Sequence, residues 1–154
     1  MDQASRVGQP VLVLDGTALT CAEVAAAARG QRQVAIADEG RERAAAASEV
    51  ARYATARREV YGRTTGVGAN RDTQVSGADA AGHGLRLLRS HAGGGGPLIA
   101  AELSRAMLVV RANQIAAGGS GVDPGVLDPL ASAINAGLSV PVPAWGAIGT
   151  GDLT

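Results

Sequence analysis

The apolar positions along the chain form two kinds of pattern. Some are short continuous runs, which indicate strands, and most follow the helical repeat, so the pattern predicts a mainly α protein. The run Val11 to Leu14, closed by an Asp-Gly pair, predicts a short strand followed by a turn. Thr20 and Glu23 have the spacing of a capping box, which predicts a helix from there to Gly30. A second apolar run at 34–37 predicts another strand, which would pair with the first as a small β ribbon near the start.

The helical period then dominates. Apolar residues on one side and Arg and Glu on the other predict a helix over 38–59. Pro97 suits the first turn of a helix, where its missing N–H costs nothing, and we expect the longest helix to open there and run to a Gly pair at 118–119. Asp123 and the proline after it predict a further helix, which ends at Asn135. The prolines at 140–143 favour extended chain.

Between these helices lies VYGRTTGVGANRDTQVSGADAAG, a glycine-rich segment over 60–82 that we expect to lack regular structure. Loops of this length inside compact domains are usually functional or disordered. The helix LRLLRSHA follows it and ends at a run of four glycines.

Composition narrows the classes of protein to consider. The 154 residues suit one domain, 1–154, with a core of small side chains, because there is no Phe, one Trp and two Tyr. Fourteen basic residues, all Arg, balance fourteen acids, and the absence of a basic stripe argues against nucleic-acid binding. The lone Cys21 has no metal-binding spacing. We see neither a membrane span nor a signal peptide, so we expect a cytoplasmic protein.

Tyr61, at the mouth of the glycine-rich segment, is a candidate general base. A tyrosine acts as a base only where positive charge or hydrogen bonds lower its pKa, and Arg63 and Arg71 are near in sequence. The structural alternative is a tyrosine packed at a helix end. TGVGAN lacks the third glycine, the preceding strand and the immediate helix of a dinucleotide-binding fingerprint. His91 can simply interact with the last carbonyls of its helix, and with His83 it makes no metal site.

Together these segments resemble the aromatic amino-acid ammonia-lyases and aminomutases, the histidine and phenylalanine ammonia-lyase group. The matching blocks are LDGTALTCAEVAAAAR, VYGRTTGVG, LLRSHAGGGGPL, RAMLVVRANQIAAGGSGV and LDPLASAINAGLSVPVPAWGAIG. They occur in the family's order along nearly the whole chain. The resemblance implies the N-terminal segment of the ammonia-lyase-like helical fold, without the C-terminal helical bundle.

The resemblance also implies a chemistry. The family carries an electrophilic methylidene-imidazolone, formed when an internal Ala-Ser-Gly cyclises and loses water, and a tyrosine removes the β-proton of the substrate. Tyr61 matches that tyrosine, and His91 matches a histidine of the substrate pocket. Gly66 and Gly68 would let the loop that carries Tyr61 fold tightly over the site.

The electrophile region departs from the family pattern. The family reads Gly-Ser-x-Gly-Ala-Ser-Gly-Asp-Leu, whereas this chain reads Gly-Ala-Ile-Gly149-Thr150-Gly151-Asp152-Leu, one residue shorter and without the serine. With that serine missing, the standard ring is not expected to form. With the alignment moved by one residue, Thr150 takes the serine's place between two glycines.

These observations predict the N-terminal subunit of a split enzyme that works as a hetero-oligomer with a complementary C-terminal ammonia-lyase-like chain. The expected reaction on a small amino-acid-like or acyl substrate is an elimination, an isomerisation, or a diverged dehydration or cyclisation. The alternative is an inactive truncated homologue with a structural or regulatory role. The sequence does not name the substrate.

Overall fold

The computed structural model of the protein describes residues 9–146, which form two compact units. The described part of the first unit comprises residues 9–49 and 100–141, and that of the second comprises 50–99 and 142–146. The helices are α1 (Cys21–Ala28), α2 (Asp38–Thr55), α3 (Gly77–His91), α4 (Ala101–Ala116) and α5 (Leu127–Asn135), and the strands are β1 (Val11–Leu14), β2 (Gln33–Ile36), β3 (Gly95–Leu98) and β4 (Pro143–Trp145). The prediction of a mainly α chain is confirmed, and that of one domain over 1–154 stays a prediction.

The first unit begins with a β–α–β arrangement. The predicted ribbon is confirmed, and β1 and β2 pair in parallel from Val11 opposite Gln33 to Leu14 opposite Ile36. Parallel neighbours need a crossover between them, and α1 supplies it. The capping box is present, because the Thr20 hydroxyl accepts from the Glu23 N–H while the Glu23 carboxylate accepts from the Thr20 N–H at 2.9 Å.

The core of the first unit is built from small aliphatic side chains of every element in it, as the composition predicts. Its buried members are Leu12, Leu14, Ala27, Val34, Ile36, Ala44, Val109, Ala112, Ile115, Leu127, Ala131 and Ile134. Two asparagine amides attach the helices to the β–α–β part. Asn135 accepts from the Val34 N–H at 2.8 Å and donates to the Val34 carbonyl at 2.9 Å, and Asn113 accepts from the Gly16 N–H at 2.9 Å.

Several predicted helix boundaries were wrong. The helix predicted over 38–59 ends at Thr55, and with 18 residues it exceeds α4, which has 16. The helix α4 begins at Ala101 and not at Pro97. The Asp123 cap is present as predicted, since its carboxylate accepts from the Gly125 N–H at 2.8 Å at the 3-10 turn that leads into α5.

The second unit contains the glycine-rich segment, α3 and a second sheet that the sequence did not predict. The glycine-rich segment is more ordered than expected, because α3 already begins at Gly77 and a short 3-10 turn spans Gly68–Asn70. Pro97 lies in β3, which pairs antiparallel with β4. None of the described helices is long and apolar enough to cross a bilayer.

Candidate functional site

Tyr61 begins a closed loop that is held by its own backbone. Gly66 donates to the Thr73 carbonyl at 2.9 Å and Val75 donates to the Thr64 carbonyl at 2.8 Å, on either side of an antiparallel bridge between Thr65 and Gln74. We call residues 61–75 the Tyr loop. The bridge brings the two ends of the loop together, so the glycine-rich segment has a defined conformation around Tyr61.

Two glycines of the Tyr loop are required by its geometry. A Cβ atom on Gly66 would lie 2.5 Å from the Asn70 carbonyl oxygen, closer than any real contact. Gly68 has φ of 58°, in the left-handed region that side chains disfavour, although no atom lies within 4 Å of its Cβ position. Both positions agree with the expectation that these glycines allow a tight loop.

The Tyr61 side chain folds back over this loop. Its phenol oxygen accepts a hydrogen bond from the Gly68 N–H at 3.1 Å, while 64% of the residue is exposed. The Tyr61 oxygen is therefore held in place by the loop, on a residue that is largely exposed. The guanidinium of Arg71 lies beside the carboxylate of Asp72, with 3.6 Å between Nε and Oδ2.

His91 lies in the last turn of α3, and its ring is oriented by that helix. Its Nδ1 lies 2.9 Å from the Leu87 carbonyl oxygen and 2.9 Å from the Ser90 hydroxyl. Because a carbonyl can only accept, Nδ1 carries a proton, and in the neutral ring Nε2 is the acceptor. This contact with a carbonyl of its own helix corresponds to the structural alternative considered from the sequence, and it fixes the orientation of the ring.

The second sheet joins the segment after His91 to the segment before the altered electrophile motif. Gly95, four residues after His91, is paired with Trp145, and Gly146 follows directly. Tyr61, His91 and the entry to that motif therefore belong to one unit. The predicted prosthetic-group residues Gly149, Thr150, Gly151 and Asp152 lie outside the described residues.

Sequence reasoning missed the role of His83. Its Nε2 lies 3.1 Å from the Thr65 carbonyl oxygen, so a side chain of α3 contacts the Tyr loop 18 residues earlier in the chain. No local signal in the sequence points to this contact. Among residues 9–146, no group of three or more His, Cys, Asp or Glu side chains could hold a metal ion.

Comparison with known sequences identifies the family of the chain. The family model described as Aromatic amino acid lyase matches residues 19–154. The chain is 39% identical over 144 residues to a probable histidine ammonia-lyase of Halobacterium salinarum, a match that covers 92% of this chain and 27% of the relative. It is 38% identical over 142 residues to a tyrosine ammonia-lyase of Cupriavidus metallidurans, covering 91% and 27% respectively. The chain therefore spans about a quarter of the length of these curated relatives.

Solved structures of other proteins share the fold of this chain. A tyrosine aminomutase from Streptomyces globisporus superposes with a TM-score of 0.82 at 33% identity, over 90% of this chain and 26% of that one. An ergothionase from Treponema denticola superposes with a TM-score of 0.83 at 31% identity, over 90% and 28%. With a family match over most of its residues, this chain belongs to the aromatic amino acid lyase family.

Proposed function

We propose that the chain supplies the base-bearing part of an ammonia-lyase-like enzyme, with Tyr61 as the general base and His91 as a group that binds the substrate. The observation that carries this proposal is the closed Tyr loop, which holds the Tyr61 oxygen 3.1 Å from a backbone N–H and leaves the residue largely exposed. The substrate is an amino-acid-like compound, as the names of the relatives indicate, or an acyl compound.

The proposed reaction is an elimination or an isomerisation. Tyr61, as the phenolate, takes a proton from a substrate carbon and becomes the neutral phenol, the C–H electron pair forms a carbon–carbon double bond, and the leaving group on the neighbouring carbon departs with the electrons of its bond to carbon. In an isomerisation the leaving group adds to the carbon that lost the proton, and the Tyr61 phenol gives its proton to the carbon that the leaving group left. The Nε2 atom of His91 accepts a hydrogen bond from the substrate, because the Nδ1 proton is directed to the Leu87 carbonyl.

The reaction proceeds without the family's standard imidazolone. Ring closure uses a serine between an Ala or Thr and a Gly, and here Gly151 follows Thr150 directly. The residues at these positions cannot form the standard imidazolone, and no step of the proposed reaction depends on it. The leaving group must then depart without covalent capture, and a diverged dehydration or cyclisation is the alternative reaction.

We propose further that a complementary helical chain of the same family completes the enzyme as a hetero-oligomer. A groove of about 460 Å³ runs between α1 and α4 in the first unit. We call it the α1–α4 groove, and its apolar lining includes Val24, Ala25, Leu103, Ala106 and Val110. Large apolar side chains that form one exposed patch usually mark an interaction surface. The helix α4 buries Val109 and Ile115 in the core and still exposes Leu103, Met107 and Val110 by 57%, 52% and 40% on its other face.

The charges of the groove favour an apolar partner. Glu102 contributes a carboxylate, which is already neutralised by Arg29 with 2.9 Å between Nε and Oε1. Asn113 is engaged by the Gly16 N–H and the Thr17 carbonyl. An apolar helix face would fill this groove at little electrostatic cost.

Co-expression of this chain with a complementary C-terminal ammonia-lyase-like chain tests the proposal. We expect the two to co-purify and to convert at least one member of a panel of aromatic amino acids and their hydroxy and acyl analogues. Tyr61→Phe, which removes the phenol oxygen and keeps the ring, should lower kcat at least about 100-fold, the typical contribution of a positioned base. Intact mass and a near-ultraviolet difference spectrum of the complex should show no loss of water and no ring.

Two outcomes would contradict parts of this proposal. Full turnover by Tyr61→Phe would remove the base assignment. A mass lower by lost water would show that a ring forms despite the missing serine. An assembled complex that converts no compound of the panel would support the structural or regulatory alternative instead.

A further inference from the structure

The contact between His83 and the Tyr loop has a defined direction. The Nε2 atom of His83 lies 3.1 Å from the Thr65 carbonyl oxygen, and a carbonyl only accepts, so Nε2 carries the proton and donates it. The His83 ring is half-buried, and Thr65 is only 3% exposed. The acceptor therefore belongs to the residue most shielded from water in the Tyr loop.

The geometry of the bridge explains why Thr65 depends on this donor. The backbone bonds at this bridge join Gly66 to Thr73 and Val75 to Thr64, on either side of the Thr65–Gln74 pair. At such a non-hydrogen-bonded pair, each residue's own N–H and C=O point away from the other strand. The Thr65 carbonyl must find its partner outside the bridge, and a buried carbonyl without a partner is costly.

The helix that carries His83 also carries His91. The two are eight residues apart on α3, which corresponds to about 12 Å along the helix axis. The Tyr loop carries Tyr61, and α3 carries His91, so the bond from His83 to Thr65 joins the two candidate site residues through one rigid helix.

We infer that His83 is a positioning residue, whose hydrogen bond to the Thr65 carbonyl fixes the Tyr loop on α3 and thereby sets the placement of Tyr61 relative to His91. The inference rests on the proposed function for its effect on turnover. The hydrogen bond and the order it gives to the loop are measurable without any substrate.

The test compares His83→Leu with His83→Gln in the full chain, assembled with its complementary chain. Leucine has similar bulk and no donor, whereas the glutamine amide nitrogen can replace Nε2 as a donor to the carbonyl. Arg86→Leu is the matched control, because its guanidinium binds Asp79 of the same helix. Hydrogen exchange of the amides of residues 64–75 is measured by mass spectrometry, together with kcat and KM.

We expect exchange in the Tyr loop to rise roughly tenfold or more in His83→Leu, with the rest of the chain unchanged, and to stay near the wild-type rate in His83→Gln and Arg86→Leu. In the same series kcat should fall roughly 10- to 100-fold in His83→Leu and recover in His83→Gln, with KM changing less, because a base displaced by about 1 Å acts mainly on the chemical step.

The inference is overturned if hydrogen exchange in the Tyr loop is unchanged in His83→Leu. It is also overturned if His83→Gln restores the wild-type exchange rate of the loop but not the wild-type kcat. Failure of the proposed function shows separately, as full turnover in Tyr61→Phe. In that event the exchange rates still decide whether His83 holds the Tyr loop.

Discussion

Gly66→Ala is the most direct test of the idea that the Tyr loop must be tight to work. The added methyl would lie 2.5 Å from the Asn70 carbonyl oxygen and 2.8 Å from the Asn70 Cβ. Ordinary contact begins at 3.4 Å, so the two sides of the loop must separate by about 0.9 Å. Asn70 ends the 3-10 turn that begins at Gly68, and the Gly68 N–H binds the Tyr61 oxygen. Movement of Asn70 should therefore also move the Tyr61 oxygen.

A displacement of this size allows an estimate of the effect on activity. A misplacement of about 1 Å at a reacting group can cost about 100-fold in rate, so we expect kcat to fall roughly 10- to 100-fold in Gly66→Ala. The first unit should be unaffected, since the clash is confined to the Tyr loop. Turnover of the assembled complex on its best panel substrate measures the loss, and hydrogen exchange of residues 61–75 locates it.

Gly84→Ala provides the matched control for the same chemical change. Gly84 lies inside α3, and no atom lies within 4 Å of its Cβ position. Alanine there should raise stability by about 0.5–1 kcal/mol through the helix propensity alone, with kcat unchanged. If Gly66→Ala keeps wild-type kcat and wild-type exchange in the Tyr loop, the loop does not position the base and our reasoning about Tyr61 is wrong.

Three further predictions concern assembly, stability and pH. Leu103→Asp, in the α1–α4 groove, should abolish co-purification with the complementary chain. Val13→Asp, at a similarly exposed site (53%) on β1, should leave co-purification intact. Equal binding by the two variants would refute the groove as the interface. Asn135→Ala removes two bonds to the Val34 peptide and should lower the free energy of unfolding by about 2 kcal/mol in urea titrations, and no change would show that water replaces the amide. The Thr20 N–H and hydroxyl lower the pKa of Glu23 from its usual 4.5, so the capping box stabilises the fold above that pH and loses this contribution as the pH falls through the lowered pKa. Urea midpoints from about pH 6 to about pH 3 should therefore drop more steeply for the wild type than for Glu23→Gln, and parallel curves would show that the carboxylate contributes nothing.

Local signals in the sequence were reliable where the structure they specify is itself local. The capping box at Thr20 and Glu23 and the Asp123 cap were both predicted, because each involves hydrogen bonds within three residues. The length and glycine content of the glycine-rich segment led us to expect a loop that is functional or disordered, and its function stays a prediction. The closed shape of that segment was not predicted, because the bridge from Thr65 to Gln74 forms across nine residues and depends on the turn between them.

The errors fall where distant segments meet. Pro97 fits the first turn of a helix by local criteria, but the pairing of β3 with β4, nearly fifty residues away, makes it part of a strand. The helix α3 begins at Gly77, in a stretch whose glycines disfavour helix, because tertiary context can override propensity.

The sequence by itself determined the fold class, the family and the residue types available for chemistry, including the absence of a serine before Gly151. These follow from patterns and motifs that are written along the chain. Only the tertiary structure decided that His83 donates to the Thr65 carbonyl, that β3 and β4 pair the segment after His91 with the segment that ends at Trp145, and that α4 exposes Leu103, Met107 and Val110 while it packs in the core. Each of these depends on which residues meet across long stretches of chain, and loop closure and packing set such contacts where local propensity does not.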